Sequence, residues 1–296
     1  MIYFFFRTVI FLMSCIPLPI GRLLGKILGT AVSMIPIQRN RISLDNIRNS
    51  LGIHMEKSEI IKLNRRMTVH FGQMLFELPH IIRLNHANLR DYVVFEGEDN
   101  LVKALEKGKG VFILTGHFGN WEFASVAISL RFGPIAAVIR PLRSPSLNRL
   151  INELRTQFGT EIIPKLNALK KILSALKKNM MVGILLDQNV DWYQGVFVNF
   201  LGRWACVNKG LALMALRTEA PVIPIFPVRH ADGRYHIAIG EEVRLIRTGD
   251  KTTDVEENTA LFTGIIEKQV REHPDQWFWF HRRWKTRPYC ELPGDK

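Results

Sequence analysis

Three short stretches of this chain carry the residue types that could act on a substrate together. They are Thr115-Gly116-His117-Phe118-Gly119-Asn120-Trp121-Glu122, then Arg140, then Asp187-Gln188. A histidine with a carboxylate partner is a general base in its simplest form. The imidazole takes a proton, and the carboxylate fixes the tautomer and stabilises the imidazolium. Five residues on one continuous helix rotate by about 500°, which would leave His117 and Glu122 roughly 140° apart and unable to cooperate. Gly116 and Gly119 instead permit a tight loop, Asn120 is a natural N-cap, and Glu122 then falls in the first turn of a helix. His117 is expected in that loop with Glu122 close enough to hold its imidazole, beside helix N–H groups that favour an anion. Taken singly, a histidine among glycines or a glutamate at a helix start is more often structural. The case for chemistry rests on convergence.

The elements that must produce this convergence alternate regularly. A helix from Ser58 to Leu78, with apolar residues at three- and four-residue steps, precedes a strand at Tyr92 to Glu96 and a helix at about Leu101 to Glu106. Buried strands follow at Val111 to Leu114, Ile135 to Ile139, Ile162-Ile163 and Met181 to Leu186. Helices separate them at Trp121 to Arg131, after the Ser144-Pro145 cap, and after Asn167. Further strands are expected at Val222 to Val228, Tyr235 to Ile239 and Val243 to Ile246, with a last helix from about Asp254 to His273. This alternation predicts a layered α/β/α domain with a central, largely parallel (mixed) sheet. Ligands in such sheets bind beyond the carboxyl ends of the strands, where all three chemical stretches lie.

Other chemistries lack their residues. There is no G-x-S-x-G elbow, no P-loop, no dinucleotide fingerprint after the Val111 strand and no H-E-x-x-H, so neither cofactor nor metal is expected. With no nucleophile nearby, His117 reads as a general base acting on a substrate hydroxyl. Three cysteines without CxxC spacing argue for a reduced compartment. A formal net charge of +13 over 296 residues points to anionic partners. Without a basic recognition motif or an aromatic RNA-binding strand, an anionic membrane or lipid is favoured over nucleic acid.

Residues 1–37 stand apart. Ile2 to Phe6 and Thr8 to Ile20 are uncharged, Arg7 lies between them, and a second uncharged run spans Ile27 to Ile37. These are expected to form apolar helices that either span the membrane once or lie in its interface as a hairpin, ahead of a main domain over 38–296. Buried core helices are the plainer reading. Arg7, Arg22, Lys26, Arg39, Arg41 and Arg48 face only Asp45 within the first 50 residues, which places the main domain on the cytoplasmic side. The segment Trp277 to Trp284 interleaves aromatic and basic residues and reads either as a membrane-interface anchor or as a piece closing the core.

Gly116 to Glu122 resembles the H-x4-[D/E] motif of glycerolipid-type acyltransferases. Val138-Ile139-Arg140-Pro141-Leu142, Gly183 to Gln188, Gly195 to Val198 and Trp279 to Pro288 extend the likeness in order. Together they resemble the lipid A biosynthesis (lauroyl/myristoyl) acyltransferases over nearly the whole chain. The resemblance implies a glycerolipid acyltransferase-like fold and an enzyme of the inner membrane, with its catalytic domain on the cytoplasmic side. It also implies transfer of an acyl chain from acyl carrier protein to a hydroxyl of a phosphorylated lipid A precursor, with no covalent acyl-enzyme. Carried over, His117 is the base and Glu122 its partner. Arg140 binds phosphate or polarises the thioester, and Asp187 and Gln188 position substrate. A lysophospholipid or other glycolipid acceptor stays open on the His/Glu chemistry, and a non-catalytic anionic-lipid-binding membrane protein is the rival of another class.

Overall fold

A computed structural model describes residues 2–139, 141, 144–164 and 168–289. The chain opens with α1 (Ile2–Cys15), α2 (Leu18–Met34), α3 (Gln38–Arg48) and the long α4 (Lys57–Glu77). Pro17 ends α1, but Pro19 does not break the next helix: it sits in the first turn of α2, where its missing N–H costs nothing. Then come α5 (Leu89–Tyr92), β1 (Val93–Glu96), α6 (Glu98–Glu106), β2 (Val111–Thr115), α7 (Trp121–Phe132) and β3 (Ile135–Ile139). Next are α8 (Pro145–Thr156), β4 (Glu161–Pro164), α9 (Ala168–Lys177) and β5 (Met181–Leu185). The chain continues through β6 (Gly195–Phe200), β7 (Arg203–Asn208), α10 (Gly210–Thr218), β8 (Val222–Arg229), β9 (Tyr235–Ile239) and α11 (Lys251–Glu272).

Seven strands form one sheet in the order β1-β9-β8-β2-β5-β3-β4. Neighbours run parallel except at β8–β9, which is antiparallel, so the sheet is mixed and mostly parallel. Central β2 is buried on both faces. Phe112 and Leu114 join one core with Val182, Phe226 and Trp277, while Val111 and Ile113 join the other with Phe123, Ile223 and Ile237. Strands covered on both sides read as uninterrupted apolar runs, and each large side chain so buried contributes about 1.5–3 kcal/mol.

Two details depart from the sequence expectations. Val243 to Ile246 is not a strand: the N–H and C=O of Ile246 both bond the Asn258 side chain of α11, at 2.9 and 2.8 Å, so no ladder partner is needed. The β6–β7 hairpin was not expected as a pair; Leu201 and Gly202, both at positive φ, form its turn. The Asn167 cap lies outside the described residues.

The N-terminal helices lie against the domain rather than away from it. Gly21, Gly25 and Gly29 form a buried stripe along α2 that crosses α4 at Gly72. A Cβ at Gly25 would stand 2.6 Å from the Gly72 carbonyl oxygen, so the backbones meet as closely as glycine allows. A buried ion cluster fastens the same crossing. Glu77 of α4 accepts from Arg22 Nε of α2 (2.7 Å), from Arg229 Nη2 (2.6 Å) and from the Tyr235 hydroxyl (2.6 Å). The other face of α2 (Ile20, Leu23, Leu24, Ile27, Leu28) and the α1 residues Phe4, Phe5, Phe11 and Leu12 are exposed. Among the described residues no single helix is long and apolar enough to cross a membrane. The α1–α2 pair passes on length and hydropathy together but is bent by 115°.

Candidate active site

The site forms where β2 and β5 end side by side. Thr115 pairs with Leu185, and Leu186 N–H donates to the Thr115 carbonyl at 3.0 Å, so the next residues of both strands emerge together. Asp187 therefore meets the Gly116–His117 turn although 70 residues separate it from His117 in sequence. Its Oδ2 accepts the His117 backbone N–H at 2.8 Å and its Oδ1 faces His117 Nδ1 at 2.8 Å. Trp277 Nε1–H also donates to Oδ2, at 2.8 Å. Gly116 has to be small here, since a Cβ on it would stand 3.1 Å from the Asp187 carboxylate.

The histidine loop is held from both sides. Asn120 Oδ1 caps α7 by accepting Phe123 N–H at 3.1 Å. The Gln276–Phe278 segment clamps the loop: Gly119 N–H donates to the Gln276 carbonyl (2.9 Å) and Phe278 N–H to the His117 carbonyl (3.0 Å). Gly119 has φ +54°, and any side chain there would collide with the Pro227 carbonyl oxygen. The His117 ring lies edge-on to Trp121, with centroids 5.0 Å apart, and beside Phe278 at 6.2 Å.

Electrostatics follow from this packing. Burial alone would lower the His117 pKa, but the Asp187 carboxylate, as a charge and as a hydrogen-bond acceptor, raises it above the ordinary imidazole value, with a lesser contribution from Glu122. Burial works against an ionised Asp187, yet His117 and the Trp277 N–H hold its pKa well below the usual carboxylate range. An ionised Asp187 accepts from Nδ1–H, which leaves Nε2 as the lone-pair nitrogen of the neutral ring. Gln188 Nε2 stands 3.0 Å from it, and Gln188 is exposed. The lone pair thus faces an exposed side chain.

Of the five residues singled out in the sequence, His117, Asp187 and Gln188 come into direct contact. Glu122 is placed differently from expectation. The carboxylate that accepts the imidazole's hydrogen bond is Asp187, because neighbouring strands deliver it there. Glu122, in the first turn of α7, turns to α8 and forms a two-pronged ion pair with Arg155, Nε to Oε2 at 2.7 Å and Nη2 to Oε1. Arg140 lies outside the described residues.

Trp277 and Arg155 were missed as site-forming residues. Trp277 belonged to the aromatic and basic segment near the C-terminus, whose Trp277, Trp279, Arg283 and Trp284 are all buried. That segment closes the core, and through Trp277 it also supports the site. Arg155 had no local signal. Among the described residues no group of three His, Cys, Asp or Glu side chains converges as metal ligands.

A layered α/β domain that seats a loop histidine on a buried carboxylate at the carboxyl ends of parallel strands is a scaffold for histidine-based proton transfer. The profile of the bacterial lipid A biosynthesis acyltransferases matches residues 1–286, and the chain belongs to that family. It is an acyltransferase of lipid A biosynthesis. The lipid A biosynthesis palmitoleoyltransferase of Escherichia coli K12 is 26% identical over 287 residues, covering 96% of this chain and 90% of that protein. A phosphatidylinositol mannoside acyltransferase of Mycolicibacterium smegmatis is 23% identical over 230 residues, covering 76% and 72%. Among solved structures, the 1-acyl-sn-glycerophosphate acyltransferase of Thermotoga maritima aligns over 80% of this chain and 97% of its own at 15% identity, with a TM-score of 0.38.

Proposed function

We propose that this enzyme moves a fatty acyl chain from acyl carrier protein to a hydroxyl of a phosphorylated lipid A precursor, at the cytoplasmic face of the inner membrane. The observation that carries the mechanism is the 2.8 Å contact of His117 Nδ1 with Asp187, which leaves Nε2 as the base. Gln188 yields its place on Nε2 to the substrate hydroxyl. His117 takes the hydroxyl proton as the oxygen attacks the thioester carbonyl carbon. The carbon–sulfur bond then breaks, and the departing carrier thiolate recovers that proton from the imidazolium. The ester forms with no acyl-enzyme and no cofactor. Asp187 orients the ring and stabilises its charged form. Glu122, neutralised in part by Arg155, adds to the field that favours the imidazolium. Arg140 is the residue that binds phosphate or polarises the thioester carbonyl.

The bent α1–α2 hairpin lies in the membrane interface, with its exposed apolar face in the lipid and α2 fixed to α4. Acyl carrier protein is acidic and the acceptor phosphorylated, so both suit a chain of net charge +13. The likeness to a phosphatidylinositol mannoside acyltransferase supports a second reading, in which the acceptor is another glycolipid. Detergent-solubilised enzyme supplied with acyl carrier protein thioesters and a tetra-acylated lipid A precursor tests the assignment by mass spectrometry of the product. Gain of one acyl chain is expected. Transfer only to a different glycolipid or a lysophospholipid would move the acceptor, and no transfer from folded protein would overturn the reading.

A further inference from the structure

Two residues beyond Asp187 the chain enters the lining of a cavity of about 680 Å³ whose chemistry the transfer step does not use. The strand end that delivers Asp187 and Gln188 continues into its wall as Asn189, Val190 and Asp191. The lining also includes Arg39, from the first turn of α3, with Arg282 and Lys285 from the C-terminal segment. Among the described residues none of these three cations is in an ion pair, and Asp191 is the one carboxylate on the lining. Their arrangement is fixed by the backbone. Arg39 Nη1 donates to the Phe280 carbonyl at 3.0 Å, and Asn46 Nδ2 of the same helix donates to the Trp279 and His281 carbonyls at 2.8 Å each. His281 Nε2 accepts Asn189 N–H at 2.9 Å, which joins the segment after β5 to the C-terminal segment.

Unpaired cations gathered in a concavity are poised for an anion with several oxygens, and a guanidinium matches a phosphate through paired N–H donors. The position of the cavity indicates which anion. Arg39 stands just past the exposed apolar residues Met34, Ile35 and Ile37 that end the N-terminal hairpin. A ligand with acyl chains on that apolar edge and an anionic head in the cavity would cross the same boundary the protein surface crosses. We propose that Arg39, Arg282 and Lys285 form a subsite for a phosphomonoester of the glycolipid acceptor, anchoring it beside His117. The subsite rests on the acceptor reading given above. It adds a handle for the acceptor that is separate from the reacting hydroxyl.

The full-length enzyme, its Arg282→Gln/Lys285→Gln double variant and Arg39→Gln would be compared on a tetra-acylated lipid A precursor with its phosphates and after enzymatic dephosphorylation. All three positions are exposed, so the variants should fold, which circular dichroism checks. Wild type is expected to favour the phosphorylated acceptor in kcat/KM by about tenfold or more, and the double variant to lose about tenfold of that ratio. The KM for the carrier thioester should stay within about twofold across the series. An unchanged ratio in the double variant would overturn the subsite. A rise confined to the KM of the carrier thioester would also overturn it, because the anion would then be the phosphodiester of the carrier's prosthetic arm.

Binding of both lipids to catalytically dead His117→Ala protein in detergent micelles gives a readout that does not depend on turnover. Preference for the phosphorylated lipid there, lost on adding Arg282→Gln/Lys285→Gln, would sustain the subsite even if wild type transferred no acyl chain to either lipid. Transfer without any preference for phosphate would remove the subsite and leave the proposed reaction standing. Neither binding nor transfer would remove both.

Discussion

At the scale of single residues, two carboxylates lie within reach of influencing His117. Asp187 touches the ring and Glu122 does not, so the two substitutions should differ in kind. Asp187→Asn keeps the shape but removes the charge and allows the wrong tautomer, and kcat is expected to fall by about 10³–10⁴-fold. The rate should rise with pH as His117 loses its proton, with a midpoint above the ordinary imidazole value because Asp187 holds the folded pKa up. In Asp187→Asn the midpoint of whatever activity remains should move to lower pH, which a pH profile of kcat/KM would show. Glu122→Gln should lower the rate less and shift that midpoint less, and an equal shift would argue against Asp187 as the main partner. His117, Asp187 and Gln188 were legible because each follows an apolar strand, and strand ends gather ligand-binding residues. The pairing itself was not legible, because the adjacency of β2 and β5 is a property of strand order that no local pattern carries. The Glu122–Arg155 pair was hidden for the same reason, since it joins two helices 33 residues apart in sequence.

At the scale of elements the N-terminal hairpin is attached through backbone contact and buried charge. Gly72→Val would force α2 off α4 and should destabilise the protein by about 1–3 kcal/mol, with faster proteolysis at the Ile16-Pro17 break as the sign of a loosened hairpin. Glu77→Ala would leave Arg229 buried without its partner carboxylate and should cost about 3–5 kcal/mol, read from denaturant midpoints. The glycine stripe was present in the sequence as an i, i+4, i+8 spacing, but hydropathy dominates a reading of residues 1–37 and hid it. Apolar runs bounded by glycine or proline made the central strands plain. Val243 to Ile246 misled because it is apolar and alternating, while only Val243 N–H reaches the Val222 carbonyl of β8 and Ile246 bonds the Asn258 side chain. The β6–β7 hairpin escaped because its turn is Leu201-Gly202, with a bulky residue at positive φ where glycine or asparagine would have signalled it.

At the scale of the whole molecule, the domain brings a cationic pocket, the His117–Asp187 pair and an exposed apolar hairpin together in one α/β unit whose layers the sequence made legible. Acid should loosen that unit. Burial, then the charge of Arg229, lowers the His70 pKa to about 3, so an unfolded chain takes up this proton near its ordinary value of 6.5 while the native one resists. Stability should therefore rise with pH between about 3 and 6.5 and fall on acidification through that window. The depressed pKa of Glu77 works in the same direction, because burial opposes its charge and Arg229 and Arg22 sustain it. Chemical denaturation at pH 7 and pH 4.5 would read the difference, and equal midpoints would contradict it. The central claim is that His117, held by Asp187, is the base of an acyl transfer from carrier protein to a lipid A precursor. Its most direct test is single-turnover transfer by wild type, His117→Ala and Asp187→Asn at equal membrane binding, with the lipid product weighed by mass spectrometry. One added acyl chain is expected with wild type, none with His117→Ala and a rate reduced by about 10³-fold or more with Asp187→Asn. Transfer by His117→Ala at the wild-type rate would contradict it.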